Sequence, residues 1–181
     1  MLWLFTDAAR GVDPLAAAAR LPKALCGVVF RHDGAENRAA IGRALARICR
    51  ARRLALVVAG DIRLAQALGA GIHLRAGYWP GPQAAGLRRA RAVTSSAHGL
   101  VEIRRARAAG AQVIFLSPTL PTASHPGAPA LGLARWSAIA GKGGAGKGGG
   151  RIHALGGITG QSARSLSRYC AGVGAIGALG G

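Results

Sequence analysis

The chain has 181 residues, of which 50% are hydrophobic, so we expect one domain over residues 1–181 with a sizeable buried core. This composition excludes a disordered protein, and no hydrophobic stretch approaches the roughly 18 residues of a membrane-spanning helix. A formal net charge of +18, from 24 Lys and Arg against 6 Asp and Glu, attracts polyanions or phosphorylated metabolites without specifying which.

Short hydrophobic runs alternate with helical stretches along the chain, which is typical of β–α units and a parallel sheet. Most of the runs are continuously hydrophobic, as in strands that are covered on both faces. The predicted strands begin near residues 2, 27, 54, 71, 92, 112, 152 and 172, and they read LWLFT, GVVFR, LALVVA, GIHLR, AVTSS, QVIFLS, IHALGG and GVGAIGAL. Helices are expected between them.

This alternation predicts an α/β fold of the (β/α)₈ TIM-barrel type. The barrel would be compact, because 181 residues is below the usual length of about 200 to 250. The sequence ends within a few residues of the eighth strand, so we expect a truncated last helix, and a short fourth unit. Barrel surface left uncovered in this way would favour a homo-oligomer. An open doubly wound sheet is the alternative fold.

The cysteines, Cys26, Cys49 and Cys170, are far apart and in no C-x-x-C arrangement. Their spacing indicates neither a disulfide framework nor a zinc site. The first residues, MLWLFTDAAR, have no basic leader before their short hydrophobic run. We therefore expect reduced thiols and a soluble, cytoplasmic protein.

Arginines are concentrated in two predicted helices, ENRAAIGRALARICRARR and GLVEIRRARAAG. In the first, Ile41, Leu45, Ile48 and Cys49 form one buried stripe, and the other positions are rich in arginine. A solvated outer face is the favoured interpretation, because only 4% of residues are aromatic and base-stacking platforms are scarce. Nucleic acid stays the less favoured partner.

The segment GKGGAGKGGG at residues 141–150 fits the first part of the phosphate-loop pattern G-x-x-x-x-G-K-[ST]. Gly148 stands where a hydroxyl should ligate Mg²⁺. A phosphate loop follows a strand and opens a helix, whereas this segment follows the predicted helix LGLARWSAIA and precedes the strand RIHALGGI. We interpret it as a flexible, cationic connection.

The ligand of such a barrel binds at the C-terminal ends of the strands, so polar residues there are candidates for chemistry. Asp7, Asp33 and Asp61 each lie just after one of the first three strands. Capping of the following helices explains their positions as well as a functional role does.

Among the five histidines, His98 is the strongest candidate, because it closes the fifth strand beside Ser95 and Ser96. An imidazole at a strand end can act as a general acid or base. His73 and His153 lie within strands, where a histidine is more often a core residue than a catalyst.

Glycines follow the seventh and eighth strands, at Gly156 and Gly157 and again from Gly174 through Gly177 to the last residue. The loops after these two strands are the usual phosphate-binding site of a barrel, where backbone amides hold the anion. Phosphate binding by Gly156, Gly157 and Gly177 is favoured over the other explanation, which is that tight turns require glycine.

The order LWLFTD, ALGAGIHLR, VTSSAHGLVEIRRARAAGAQVIFLSPTLPT, ALGGI and a glycine-rich last strand resembles the thiamine-phosphate synthase and thiazole tautomerase superfamily. The resemblance spans nearly the whole chain. It implies a (β/α)₈ barrel and a transferase of thiamine biosynthesis, which joins a pyrimidine methyl diphosphate to a thiazole phosphate and releases pyrophosphate with Mg²⁺ present. Two alternatives stay open. One is a thiazole tautomerase, and the other is a non-catalytic, cationic barrel that binds polyanions.

The resemblance also implies site residues. Arg31 matches the Arg of the family's Q-L-R-x-K, Ser96 its Ser after strand five, and His98 the histidine that the tautomerase uses. Thr122 matches the Thr of a P-T motif, and Gly157 a phosphate-loop glycine. Catalysis is therefore expected from His98, Arg31 and Ser96.

The sequence departs from the family where the family binds metal and diphosphate. Val29 and Asp33 replace the Gln and Lys of Q-L-R-x-K, Ala59 and Gly60 replace an Asn-Asp pair, and Tyr78 replaces the Asp after H-L-G-Q. A hard cation loses carboxylate oxygens in this way, unless Asp61 or Asp33 substitutes. Asp61 is thus a weak candidate for Mg²⁺. The Lys of P-T-x-T-K is absent, with His125 nearest, so His125 joins the phosphate-binding candidates, and Lys142 and Lys147 would be mobile cations near the phosphate.

Overall fold

The computed structural model is a closed barrel of parallel strands wrapped by helices. It describes residues 1–75, 90–122, 127, 129–144, 150–166 and 168–176. The strands are β1 (Leu2–Phe5), β2 (Cys26–Phe30), β3 (Ala55–Ala59), β4 (Gly71–Leu74), β5 (Val93–Ala97), β6 (Val113–Leu116), β7 (Arg151–Leu155) and β8 (Val173–Ala175). The α-helices in the described ranges are α1 (Pro14–Arg20), α2 (Arg38–Arg52), α3 (Ile62–Leu68), α4 (Leu100–Ala108), α5 (Gly132–Gly144) and α6 (Gly160–Arg164).

Each strand pairs with the next in sequence, and β8 pairs with β1, where Leu2 lies opposite Val173. The predicted (β/α)₈ barrel is confirmed, and the open doubly wound sheet was wrong, because closure leaves no sheet edge. The strands begin within about two residues of their predicted positions. The expected truncation of the last helix concerns residues 177–181, and the expected short fourth unit concerns residues 76–89, and both ranges lie outside the described residues.

The core has two layers, since successive strand residues point to opposite faces. The larger layer lies between the sheet and the helices, and it includes Leu45 and Cys49 from the predicted stripe of α2. The barrel interior is filled mainly by large side chains, among them Trp3, Phe5 and Phe115. A Cβ at Gly27 would collide with the Trp3 indole, so glycine on β2 makes room for that ring.

Helix capping explains some of the aspartates at the strand ends. Asp7 accepts a backbone N–H in the turn after β1, and Asp61 accepts the N–H of Leu64 at the start of α3, at 2.9 Å. Both therefore satisfy amides that have no partner within a helix. Asp33 caps no helix and forms ion pairs instead.

The glycine and lysine segment has the helix-before-strand order that the sequence indicated. Residues 141–144 complete α5, residues 145–149 lie outside the described residues, and Gly150 immediately precedes β7. Cys26, Cys49 and Cys170 are free thiols, as predicted. None of the helices in the described ranges is long and apolar enough to cross a membrane.

Candidate active site

The C-terminal mouth of the barrel gathers most of the described candidate residues. Inward-facing positions of β4 and β5 carry His73, Thr94 and Ser96, with His73 opposite Thr94 in the strand register. The residues that follow β2 and β5 are Arg31 and His98. Parallel strands all end at the same rim of a barrel, so residues far apart in sequence meet there.

His73 is the residue that links the barrel interior to the mouth. Its Nδ1 lies 2.8 Å from Thr94 Oγ1 and its Nε2 lies 3.0 Å from Ser96 Oγ. Burial, then the positive charges of Arg31 and Arg75, lower the pKa of His73 to about 3. The imidazole is therefore neutral at pH 7, with one ring nitrogen donating and the other accepting.

Sequence reasoning placed His73 in the core, which is correct, and missed its bond to Ser96. The pairing depends on the register between β4 and β5, which sequence spacing does not reveal. His153 is also buried, at 1% exposure, and burial lowers its pKa to about 4.

Arg31, a candidate from the family resemblance, follows β2 at the same rim of the barrel. Its backbone N–H donates to Thr6 Oγ1 at 3.0 Å, which fixes the end of β2 against the end of β1. The positive charge of its guanidinium contributes to the lowered pKa of His73. The structure therefore joins His73 and Ser96 by a direct contact, and Arg31 follows a nearby strand at the same rim.

His98 is exposed at the end of β5, and its ring is oriented by a backbone group. Nδ1 lies 2.8 Å from the carbonyl oxygen of Ser117, so Nδ1–H is the donor and Nε2 of the neutral ring is the acceptor. The backbone N–H of His98 donates to Glu102 at 2.5 Å. Ser95 does not join this cluster, because strand alternation puts its side chain on the face opposite to Ser96.

The loop after β6 packs on the glycines that follow β7. The N–H of Leu120 donates to the carbonyl oxygen of Gly156 at 3.1 Å. Gly156 and Gly157 have φ of +90° and +66°, and a Cβ on Gly157 would lie 2.8 Å from the carbonyl carbon of Leu120. Backbone conformation and close packing therefore require these glycines, whatever they bind. Phosphate binding there stays a prediction.

The remaining phosphate candidates are described only in part. Thr122 is half-buried, six residues after the end of β6. Gly177 and His125 lie outside the described residues, as do Tyr78 and Lys147.

Comparison with known proteins decides the family. A family model for thiamine monophosphate synthase matches residues 10–179, which includes all the strands except β1. The chain belongs to the thiamine monophosphate synthase family. The family predicted from the sequence motifs is thereby confirmed.

Solved structures share the fold of this family member. The thiamine phosphate pyrophosphorylase from Pyrococcus furiosus has a TM-score of 0.81 and 23% identity, over 99% of this chain and 87% of that one. The native KDPGal structure has a TM-score of 0.67 and 12% identity, over 97% of this chain and 82% of that one. Comparison with curated proteins finds no significant sequence match.

The donor set of this thiamine monophosphate synthase family member does not fit Mg²⁺. All the acidic residues lie in the described part of the chain, namely Asp7, Asp13, Asp33, Glu36, Asp61 and Glu102. No group of three or more potential metal ligands forms among the described residues. Asp61, the predicted ligand, accepts from Arg38 at 2.9 Å through one oxygen and from the Leu64 N–H through the other. Mg²⁺ needs oxygen ligands at about 2.0–2.1 Å, whereas one Asp61 oxygen already accepts from Arg38 and the other from a backbone N–H.

Proposed function

We propose that this protein couples a pyrimidine methyl diphosphate to a thiazole phosphate. The methylene carbon of the pyrimidine forms a bond to the thiazole ring nitrogen while its bond to the diphosphate oxygen breaks. Pyrophosphate leaves with that electron pair, and the thiazole becomes a cation. The product is thiamine phosphate.

One observation carries the proposal, which is the positive charge beside a polar hydroxyl at the barrel mouth. Arg31 directly follows β2 and Arg75 directly follows β4, at the rim where the Ser96 hydroxyl lies 3.0 Å from His73 Nε2. Negative charge accumulates on the diphosphate as the carbon–oxygen bond breaks, and guanidinium groups placed there in advance stabilise it. Family membership supports the same reaction.

The other residues have supporting roles in this proposal. His73 is a positioning residue, because it orients the Ser96 hydroxyl from below the mouth. The glycines after β7 and Thr122 would hold the phosphate of the thiazole. The two substrates then meet at the barrel axis, one from the β2–β4 side and one from the β6–β8 side.

The experiment is a coupling assay with both substrates, run with Mg²⁺ and with EDTA. We expect thiamine phosphate and pyrophosphate in equal amounts. Arg31→Gln should lower kcat/KM by at least tenfold, whereas Arg47→Gln, on the outer face of α2, should not change it. Absence of thiamine phosphate in both arms, from a protein that unfolds cooperatively, would refute the proposal.

Tautomerisation of a thiazole phosphate is a second candidate because of the orientation of His98. The Nδ1–H bond to Ser117 leaves Nε2, which bonds to no described residue, as the acceptor of an exposed ring. Proton transfer needs a donor and an acceptor near the thiazole carbons, but no stabilisation of a departing diphosphate. Tautomerisation therefore depends less than coupling does on the acidic residues that the family has and this sequence lacks.

A further inference from the structure

Four charged side chains form one cluster where β2, β3 and β4 end. Arg38 bridges the two acids, with Nη2 at 3.2 Å from Asp33 and Nη1 at 2.9 Å from Asp61. Arg75 forms an ion pair with the other oxygen of Asp33. Arg38 also donates to the carbonyl oxygen of Ala59 at 2.8 Å. The cluster thus ties the ends of the three strands together.

Arg75 covers Gly60, which takes the place of an acid in the family pattern. Gly60 has φ of +69°, and a Cβ there would lie 3.3 Å from Arg75 Nε and 3.4 Å from Arg75 Nη2. A carboxylate at residue 60 would therefore extend into the space that the guanidinium fills. Glycine at residue 60 therefore leaves the space that the Arg75 guanidinium occupies.

The two arginines of the cluster differ in exposure. Arg38 has a side chain only 16% exposed, and it is held on both sides by Asp33 and Asp61. Arg75 has a side chain 55% exposed, and within the described ranges only its Nη2 is bonded, to Asp33. Arg75 therefore keeps exposed N–H donors where β4 ends, and its positive charge helps to lower the pKa of His73 on the same strand.

We propose that Arg75 takes the place of the divalent cation, so that this protein binds the diphosphate group directly and without metal. The inference rests on the proposed function for the identity of the anion. A guanidinium donates a planar pair of N–H groups that matches two phosphate oxygens. Asp33 orients it, Arg38 balances the charge of Asp33, and Arg31 adds a further positive charge at the same rim.

The test is calorimetric titration with inorganic pyrophosphate at 150 mM salt, in EDTA and again with Mg²⁺. We expect pyrophosphate to bind at one site in EDTA. Its dissociation constant should change by less than twofold when Mg²⁺ is added. Arg75→Gln should weaken this binding by tenfold or more. Arg104→Gln removes another exposed arginine, on the outer helix α4, and should change it by less than twofold, which controls for charge alone.

Two outcomes overturn the inference: pyrophosphate binding that requires Mg²⁺, or Arg75→Gln binding that equals the wild type. Thermal unfolding of the variant shows that its fold is intact. The coupling assay separates this inference from the proposed function. Coupling that proceeds with Mg²⁺ and stops in EDTA overturns the inference alone. Metal-free binding of pyrophosphate without any coupling supports it and refutes the proposed function.

Discussion

Burial makes His73 and His153 weak bases, and this has a consequence for stability. The pKa of His73 falls to about 3 and that of His153 to about 4, mainly because their rings are removed from water. In the unfolded chain both pKa values return to about 6.5. The unfolded state therefore binds more protons than the folded state in the range between these values.

The free energy of unfolding should fall as the pH decreases from about 6.5 towards 4. Each histidine contributes a slope of up to about 1.4 kcal/mol per pH unit, because stability decreases with falling pH wherever the unfolded state binds more protons. Urea unfolding at pH 7, 6 and 5 measures how the free energy of unfolding depends on pH. His153→Gln should reduce the slope, and a free energy that stays constant from pH 7 to 5 would contradict the prediction.

The role of His98 as an acid/base is a second prediction about a single residue. If Nε2 is the acid/base for tautomerisation, His98→Asn should reduce the rate by roughly two to four orders of magnitude. Steady-state turnover of a thiazole phosphate measures this, with the unfolding midpoint as the control for folding. Unchanged turnover rules out the role and leaves the ring as a surface residue.

At the scale of elements, the loops after β6 and β7 act as one packed unit. Bonds from the loop after β6 reach Leu155 and Gly156, and Thr119 is fully buried between them. The turn after β7 therefore has little space for side chains. Its glycines are a structural requirement of the same loops that are predicted to hold a phosphate.

Gly157→Ala should destabilise the protein more than Gly11→Ala does. Both residues have positive φ, at +66° and +63°, so each variant has backbone strain of about 1 kcal/mol or more. Only at Gly157 would the added Cβ also collide with backbone, since Gly11 has no atom within 4 Å of that position. Urea unfolding measures the loss in free energy of unfolding for both variants. Equal losses would show that the collision of the added Cβ with backbone does not contribute.

At the scale of the whole molecule, the outer helices carry much of the net charge of +18. A groove of about 500 Å³ between α2 and α3 is lined by Arg43, Arg47 and Arg50. These arginines lie on the outside of the barrel, away from Arg31 and Ser96. Polyanion binding there is therefore independent of chemistry at the mouth.

Affinity for duplex DNA should fall steeply with salt if this surface binds polyanions. Each phosphate contact contributes about −0.9 to the slope of log affinity against log salt. Replacing Arg43, Arg47 and Arg50 by Gln should make the slope shallower by up to about 3, whereas Arg75→Gln should leave it unchanged. Fluorescence anisotropy from 50 to 200 mM salt measures the affinity. An affinity that does not change with salt would contradict polyanion binding by this groove.

The sequence alone determined the barrel, the family and several residues of the mouth. Hydrophobic runs such as CGVVF and VIFL, set between amphipathic helices, have few other solutions than parallel strands. Because such strands end at one rim, Ser96 and His98 could be placed there by counting along the chain, whereas Arg31 was identified through the family resemblance. Local patterns of this kind depend on neighbours in sequence, so they can be read without coordinates.

Only the tertiary structure decided which of these residues touch. The bond between His73 and Ser96 depends on strand register, and the contact of Arg75 with Gly60 and Asp33 joins the ends of three strands. Asp61 was a plausible metal ligand in sequence, until the fold placed Arg38 against it. Such contacts arise when the barrel closes and brings distant segments within a few ångströms, and no spacing along the chain encodes those distances.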